Sequence, residues 1–157
     1  MLQLEIVDPA LPEARRVMRA YLAEVAERYY GHTVTEAELD NVELLEPSAG
    51  LVAPTGFLML ARRNGEAVGC GGVRLVDSET GELTKIFSVP SARGTGVGRA
   101  VVVELERVAR ERGIRVLRLD TRTDLVEARG LYASLGYAEV EAYNTDEYAQ
   151  HWFAKAL

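Results

Sequence analysis

Cys70 is the only cysteine in the chain, so no intrachain disulfide can form and the composition suits a reducing compartment. Histidine is nearly as scarce. His32 and His151 lie far apart, and no metal-ligand spacing surrounds either. No apolar run approaches the length of a membrane span, and the opening Met1-Leu2-Gln3-Leu4-Glu5 lacks the layout of a signal peptide. These absences lead to the expectation of a soluble, cytoplasmic protein without a metal. Positive charge is also in deficit, with 18 Lys and Arg against 24 Asp and Glu and a net charge of −6. Such a balance argues against nucleic acid or an anionic membrane as partner and permits a cationic substrate. No Gly-Lys-Ser/Thr follows a glycine-rich stretch, which excludes a P-loop. Repeats, linkers and low-complexity segments are missing too. The 157 residues are therefore read as one domain, 1–157, able to bury roughly two-thirds of its unfolded surface.

What is present is organised around residues 82–113. Glu82 to Pro90 reads as a strand, and Arg99 to Arg112 as a helix with apolar positions at Val101, Val102, Leu105, Val108 and Ala109, stopped by Gly113. Between them lies Arg93-Gly94-Thr95-Gly96-Val97-Gly98. Glycines let this loop turn its amides toward one point, and the start of a helix adds free amides and a positive dipole end. Such a place suits a phosphate or pyrophosphate, and Arg93 and Arg99 bracket it with cations. The alternative is a connector that binds nothing. A dinucleotide fingerprint would need a glycine where Arg99 stands, although Asp120 lies about twenty residues on, where a ribose-binding acid belongs.

The rest of the chain falls into place on either side. Leu2 to Val7 alternates as a strand ended by Asp8-Pro9, and Pro12 opens a helix whose buried stripe runs from Ala14 to Tyr29 before Gly31. Thr35 and Glu38 form a capping box for a second, strongly acidic helix that must stop by Pro47. Its acidic face is either solvated or lines the approach of a cationic acceptor. Phe57–Arg62 and Ala67–Val76 read as strands joined by the hairpin turn Asn64-Gly65. Gly69, Gly71 and Gly72 imply a bulge or close backbone approach in the second of them, with Cys70 as a small packed residue. A turn at residues 77–81 leads into the Glu82 strand. Ile114–Asp120 is a further strand, and Thr123 or Asp124 can cap a helix that Gly136 closes. Strands at Tyr137–Tyr143 and Tyr148–Phe153 end the chain. The class is α/β, in the order β-α-α-β-β-β-α-β-α-β-β.

Arg93, Gly96 and Gly98 fill the fixed positions of the pattern Arg/Gln-x-x-Gly-x-Gly, and residues 128–137, Ala-Arg-Gly-Leu-Tyr-Ala-Ser-Leu-Gly-Tyr, resemble A-x-x-L-Y-x-x-x-G-F/Y. On these two motifs, and on element order over essentially the whole chain, the sequence resembles the GNAT acetyltransferases. Tyr29-Tyr30-Gly31, Gly69-Cys70-Gly71-Gly72 and residues 148–155 further resemble a bacterial group taken to act on small molecules. The resemblance implies a mixed central sheet splayed after the fourth strand, with the pantetheine of acetyl-CoA in the split. It implies that the amides from Arg93 through Gly94, Thr95, Gly96, Val97 and Gly98 to Arg99 hold the pyrophosphate. Backbone groups of Ile86, Phe87 and Ser88 would pair with the pantetheine, and Ala128 would border the cofactor. The chain departs from the family in Ser88-Val89-Pro90, where a hydrophobic-x-Pro run is common. It departs again at Arg122, near which many relatives carry Asn. Arg122 reaches a phosphate or is solvated.

The implied reaction transfers an acetyl group to a primary amine of a small molecule or amino-acid-like acceptor by direct attack. An alkyl ammonium with a pKa near ~10.4 is almost wholly protonated at pH 7, so a base is needed. Glu82 stands eleven positions before Arg93, as in the histone-acetylating branch, and is the first candidate, acting directly or through water. Its plainer reading is a surface acid beside a turn. Asp120 and Glu141 are further candidates. Tyr132 is expected to point into the cleft as general acid toward the leaving thiolate rather than merely to pack, and a backbone amide of 86–88 would hold the oxyanion. His32 reads as a surface residue, and His151 packs the last strand or borders the acceptor site. A non-catalytic acyl-CoA sensor, a protein N-acetyltransferase and a nucleotide-binding oxidoreductase are the alternatives. Homodimers are common in the family, but no exposed apolar stripe here requires one.

Overall fold

A computed structural model describes residues 1–157. The elements are β1 (Leu2–Val7), α1 (Pro12–Tyr30), α2 (Glu36–Leu45), β2 (Gly56–Arg63), β3 (Glu66–Leu75), β4 (Thr80–Ser88), α3 (Val97–Glu111), β5 (Val116–Thr121), α4 (Val126–Ser134), β6 (Ala138–Val140) and β7 (His151–Ala156), with a 3₁₀ turn at Pro90–Ala92. The order is the one that the sequence implies. Thr35 and Glu38 form the expected reciprocal cap, and Gly31 ends α1 at φ 77°. Asn64 and Gly65 turn the hairpin with positive φ angles of 54° and 81°.

Two boundaries shift for a physical reason. Strand β6 is short and β7 starts late, because residues 141–150 form a loop stitched by side chains. Asp146 N donates to Asn144 Oδ1 (3.2 Å) and Tyr148 N to Asp146 Oδ1 (2.8 Å), an alternative to ladder pairing. Helix α4 starts at Val126 without a side-chain cap. Asp124 is instead engaged by Arg122, whose Nε and Nη2 donate at 2.8 and 2.9 Å.

The seven strands run in the order β1-β2-β3-β4-β5-β7-β6. All pairs are antiparallel except β4 with β5, and that pair is brief: Thr80↔Val116, Gly81↔Leu117 and Glu82↔Arg118. Beyond Glu82 the two central strands part, and the sheet opens into a V.

Each face of the sheet carries its own core. Met59, Val73, Leu83 and Leu117 pack against Val101, Val102 and Leu105 of α3 on one side. Leu58, Leu60, Cys70 and Phe87 pack against Ala14, Val17 and Met18 of α1 on the other. The expected close approach at the β3 glycines is real. A Cβ on Gly71 would lie 2.6 Å from Val101 Cγ1 and 2.7 Å from Ile86 Cδ1, so only glycine lets α3 sit this near the sheet. Strand β4 also carries a bulge. Cys70 pairs with Phe87 but Gly72 with Thr84, which leaves β4 one residue long, and Lys85 adopts φ 56°. The alternation slips there: Leu83 and Ile86 both face the α3 core, whereas Phe87 faces α1.

Candidate active site

The V between β4 and β5 meets the glycine loop at its wide end. Gly94 and Gly96 hold φ of 77° and 88°, with nothing within 4 Å of where a Cβ would point. Ala100 N is the first amide of the helix start to find a backbone acceptor, Gly96 O at 3.0 Å. The amides from Gly94 to Arg99 donate to no protein group, and they gather at the N-terminus of a 15-residue helix. Along β4 the edge that faces β5 is unpaired past Glu82, while β3 takes the other edge through Cys70↔Phe87 and Gly69↔Ser88. A row of free strand groups leading to a nest of free amides can hold an amide-bearing arm that ends in a diphosphate.

The side chains expected around this loop have separate duties. Arg93 donates to Glu24 Oε2 of α1 at 2.7 Å and to Ser88 O at 3.2 Å. Arg99 reaches Ser134 Oγ of α4 at 3.4 Å. Thr95 Oγ1 accepts from Arg63 Nη1 at 2.9 Å, a cation from the β2–β3 hairpin that sequence distance conceals. Val97 is buried in the α3 core, so only its amide is available. Ala128 packs at the edge of the same core.

Tyr132 is 6% exposed, its ring edge-on to Tyr137 at 5.9 Å, and its hydroxyl has no hydrogen-bond partner. Burial pushes its pKa up, and Tyr21 adds to the shift, so the phenol stays a proton donor at neutral pH. Tyr21 itself stands edge-on to Phe87 at 5.9 Å, and burial followed by Glu46 raises its pKa as well. Two phenols therefore flank the split, one from α1 and one from α4.

Glu82 sits at the apex of the V with its side chain 13% exposed. Arg74 Nη2 donates to Oε1 at 2.9 Å, and Arg118 Nε stands 3.6 Å from Oε2. Asp120, two residues further along β5, lies beside the opened part of the V. Its Oδ2 accepts from Asn144 Nδ2 at 3.0 Å, and Asn144 Oδ1 accepts from Trp152 Nε1 at 3.0 Å. Burial raises the Asp120 carboxyl above its ordinary range, with Asp146 and Glu82 adding repulsion. Glu46, after α2, is raised by burial too, against the pull of Lys85. Lys85 is 4% exposed and donates to Glu46 O at 3.0 Å; burial lowers its pKa. The Cys70 thiol is pushed up to about 12 by burial, which makes it a packed residue and not a nucleophile. Glu141 is exposed just past β6. His32 is exposed, and His151 Nδ1 pairs with Glu139 at 2.6 Å. Arg122 is buried against Asp124 and Tyr29, so it is neither a solvated arginine nor a free phosphate ligand.

The model of the acetyltransferase (GNAT) family matches residues 15–137. The chain belongs to the GNAT acetyltransferase family. It is 33% identical over 120 residues to the IAA acetyltransferase of Azospirillum brasilense, covering 75% of each chain. It is 32% identical over 110 residues to the aminoglycoside N(6')-acetyltransferase type 1 of Stenotrophomonas maltophilia, 65% of this chain and 71% of that one. Among solved structures, a GNAT acetyltransferase of Staphylococcus aureus superposes with a TM-score of 0.78 at 14% identity over 99% of both chains. A GNAT acetyltransferase of Elizabethkingia anophelis with acetyl-CoA bound superposes at 0.69 with 16% identity, over 99% of this chain and 98% of that one. A splayed mixed sheet with a glycine loop opening its third long helix is thus the GNAT fold. In this GNAT chain no helix is long and apolar enough to cross a membrane.

Proposed function

We propose that this GNAT chain moves an acetyl group from acetyl-CoA to the primary amine of a small molecule, by direct attack with both substrates bound. The observation that carries the reading is the early end of β4–β5 pairing at Glu82↔Arg118, which leaves an unpaired strand edge leading to the free amides of residues 94–99. Acetyl-CoA supplies the activated acyl group there. Backbone groups of Ile86, Phe87 and Ser88 hold its pantetheine, the amides from Gly94 to Arg99 its diphosphate, and an amide of the same β4 segment the developing oxyanion. The Arg93 amide, expected to join them, is spent on Pro90 O at 3.3 Å. Tyr132 delivers a proton to the leaving sulfur.

Fewer than about one alkylamine in a thousand is neutral at pH 7, so the attacking nitrogen must lose a proton. Glu82 is one acceptor for it, directly or through a water. A second reading is favoured by the geometry. Both Glu82 oxygens are engaged by guanidinium groups, whereas Asp120 commits only Oδ2 and has a raised carboxyl pKa. Glu82→Gln and Asp120→Asn separate the two. The variant that abolishes the acid limb of the pH profile of kcat/KM identifies the base; an unchanged limb in a variant returns its residue to structural duty.

Calorimetric titration with acetyl-CoA, followed by thiol release across amines, tests the whole reading. Binding with amine-dependent release is expected. Gly96→Glu, which sets a carboxylate among the diphosphate-holding amides, should abolish binding. Binding without release by any amine would leave a sensor or a protein-directed enzyme, and no binding would end the proposal.

A further inference from the structure

The acceptor side of the V has a rim made largely of aromatic rings. Tyr29 and Tyr30 end α1, His32 follows, and Tyr148 comes from the loop at 141–150. Tyr29 meets Tyr30 edge-on at 5.2 Å and Tyr148 at 5.0 Å, and the His32 ring stacks on Tyr30 at 5.8 Å. Rings in such contact usually lie inside a protein, yet Tyr29 and Tyr30 are 50% and 52% exposed and Tyr148 is 37% exposed. Three tyrosines therefore present open faces and edges at one place.

One loop joins this rim to the reacting centre. The segment that carries Tyr148 also carries Asn144, which donates to Asp120 at 3.0 Å. From the other side Arg122, two residues past Asp120, lies 5.4 Å from the centroid of Tyr29. Below the rim lie the carboxylates Asp120, Glu46 and Asp146, with Lys85 and Arg74 as the opposing cations. Asp120 keeps Oδ1 free of any hydrogen bond, and Asp146 lies close enough to help raise the carboxyls of both Glu46 and Asp120. Independently of these acids, Tyr132, a side chain only 6% exposed, brings a hydroxyl without a hydrogen-bond partner to the same split.

We propose that the acceptor is a primary amine carrying an aromatic ring on a short chain, its ring seated on Tyr29, Tyr30 and Tyr148 and its ammonium directed to Asp120. This rests on the transferase reading above and narrows it to a substrate class. The rings supply flat, polarisable contact with the acceptor's ring, and the carboxylates offset the ammonium's lost hydration until its proton leaves. An alkyl diamine would satisfy the acids but leave the rim unused.

The test compares 2-phenylethylamine, 2-cyclohexylethylamine and n-butylamine on the full-length protein, by direct binding and by acetyl-CoA turnover. The cyclohexyl compound matches the phenyl one in bulk without its π-face. 2-Phenylethylamine should bind and turn over roughly fivefold or more better than either control. Tyr148→Leu and Tyr29→Leu should erase that margin, costing 2-phenylethylamine several-fold more than n-butylamine. The three amines are compared in the unmutated protein first, so the answer does not depend on either variant folding. Equal use of the phenyl and cyclohexyl compounds, or an equal loss for all amines in the variants, would overturn the proposal. Binding of 2-phenylethylamine without turnover would keep the acceptor class and overturn the transferase reading instead.

Discussion

Tyr132 is where the chemistry and the packing of this GNAT chain can be told apart at the level of one atom. Its ring is gripped by Tyr137 and Phe153, so Tyr132→Phe keeps the shape and deletes only the hydroxyl. If that hydroxyl protonates the thiolate, turnover should fall about 100-fold or more while calorimetric affinity for acetyl-CoA stays the same. Undiminished turnover would make it a core residue. Asp120 allows a second test, through stability. Its carboxyl is raised by burial, so the folded chain binds that proton more tightly than the unfolded chain. The stability it contributes is full below the unfolded carboxyl range, near ~3.9, and is lost as pH rises through the folded value. Asp120→Asn should therefore raise Tm at pH 7, and the gain should shrink toward pH 4. A gain that does not vary with pH would mean that burial strains the carboxylate by some other route. Glu82 shows what was readable at this scale. Its place at the head of a central strand was plain from the sequence, and its partners were not. Arg74 faces it across the β3–β4 hairpin, in a register that follows from turn length, whereas Arg118 arrives by a parallel crossover that no local pattern encodes.

Helix α1 does more than cover one face of the sheet. It bridges the mouth of the V and is fastened at both sides. Glu24 takes Arg93 of the glycine loop at 2.7 Å. One turn on, Arg28 donates to Asp124 O at 2.6 Å and to Glu127 at 3.4 Å, at the start of α4. The helix itself was legible from its apolar stripe and from Pro12 and Gly31, because those signals are local. Its fastening was not, because the pairs join residues 69 and 96 or more positions apart. Arg93 therefore has a carboxylate partner that competes with any phosphate. Glu24→Gln should release the guanidinium and tighten CoA binding about two- to fivefold, the scale of one partly exposed ion pair. Weaker binding in that variant would mean that Glu24 aims Arg93 at the diphosphate and does not restrain it.

Considered as a whole, the molecule is a sheet that is incomplete at its centre. Strands β1 to β4 form one wing and β5, β7 and β6 the other, joined through three residue pairs at the base of the V. Element order could be read from the chain because each element announces itself by period and punctuation. The insertion of β7 between β5 and β6 could not, since it depends on which edges remain free after the wings form. A ligand that pairs along β4 would serve as the missing strand and link the wings, so acetyl-CoA should stabilise the entire fold and not only the loop that it touches. At a concentration 100 times its Kd, binding is worth about 2.7 kcal/mol, or about 5–10 °C in Tm for a domain of this size. Amide exchange should slow at residues 86–88 on β4 and at 94–99 in the loop. It should slow also in β5, where Leu119 to Thr121 are paired only on the β7 side. Protection limited to 94–99 would show that the diphosphate nest binds alone and that the V stays open, leaving the two wings to move independently.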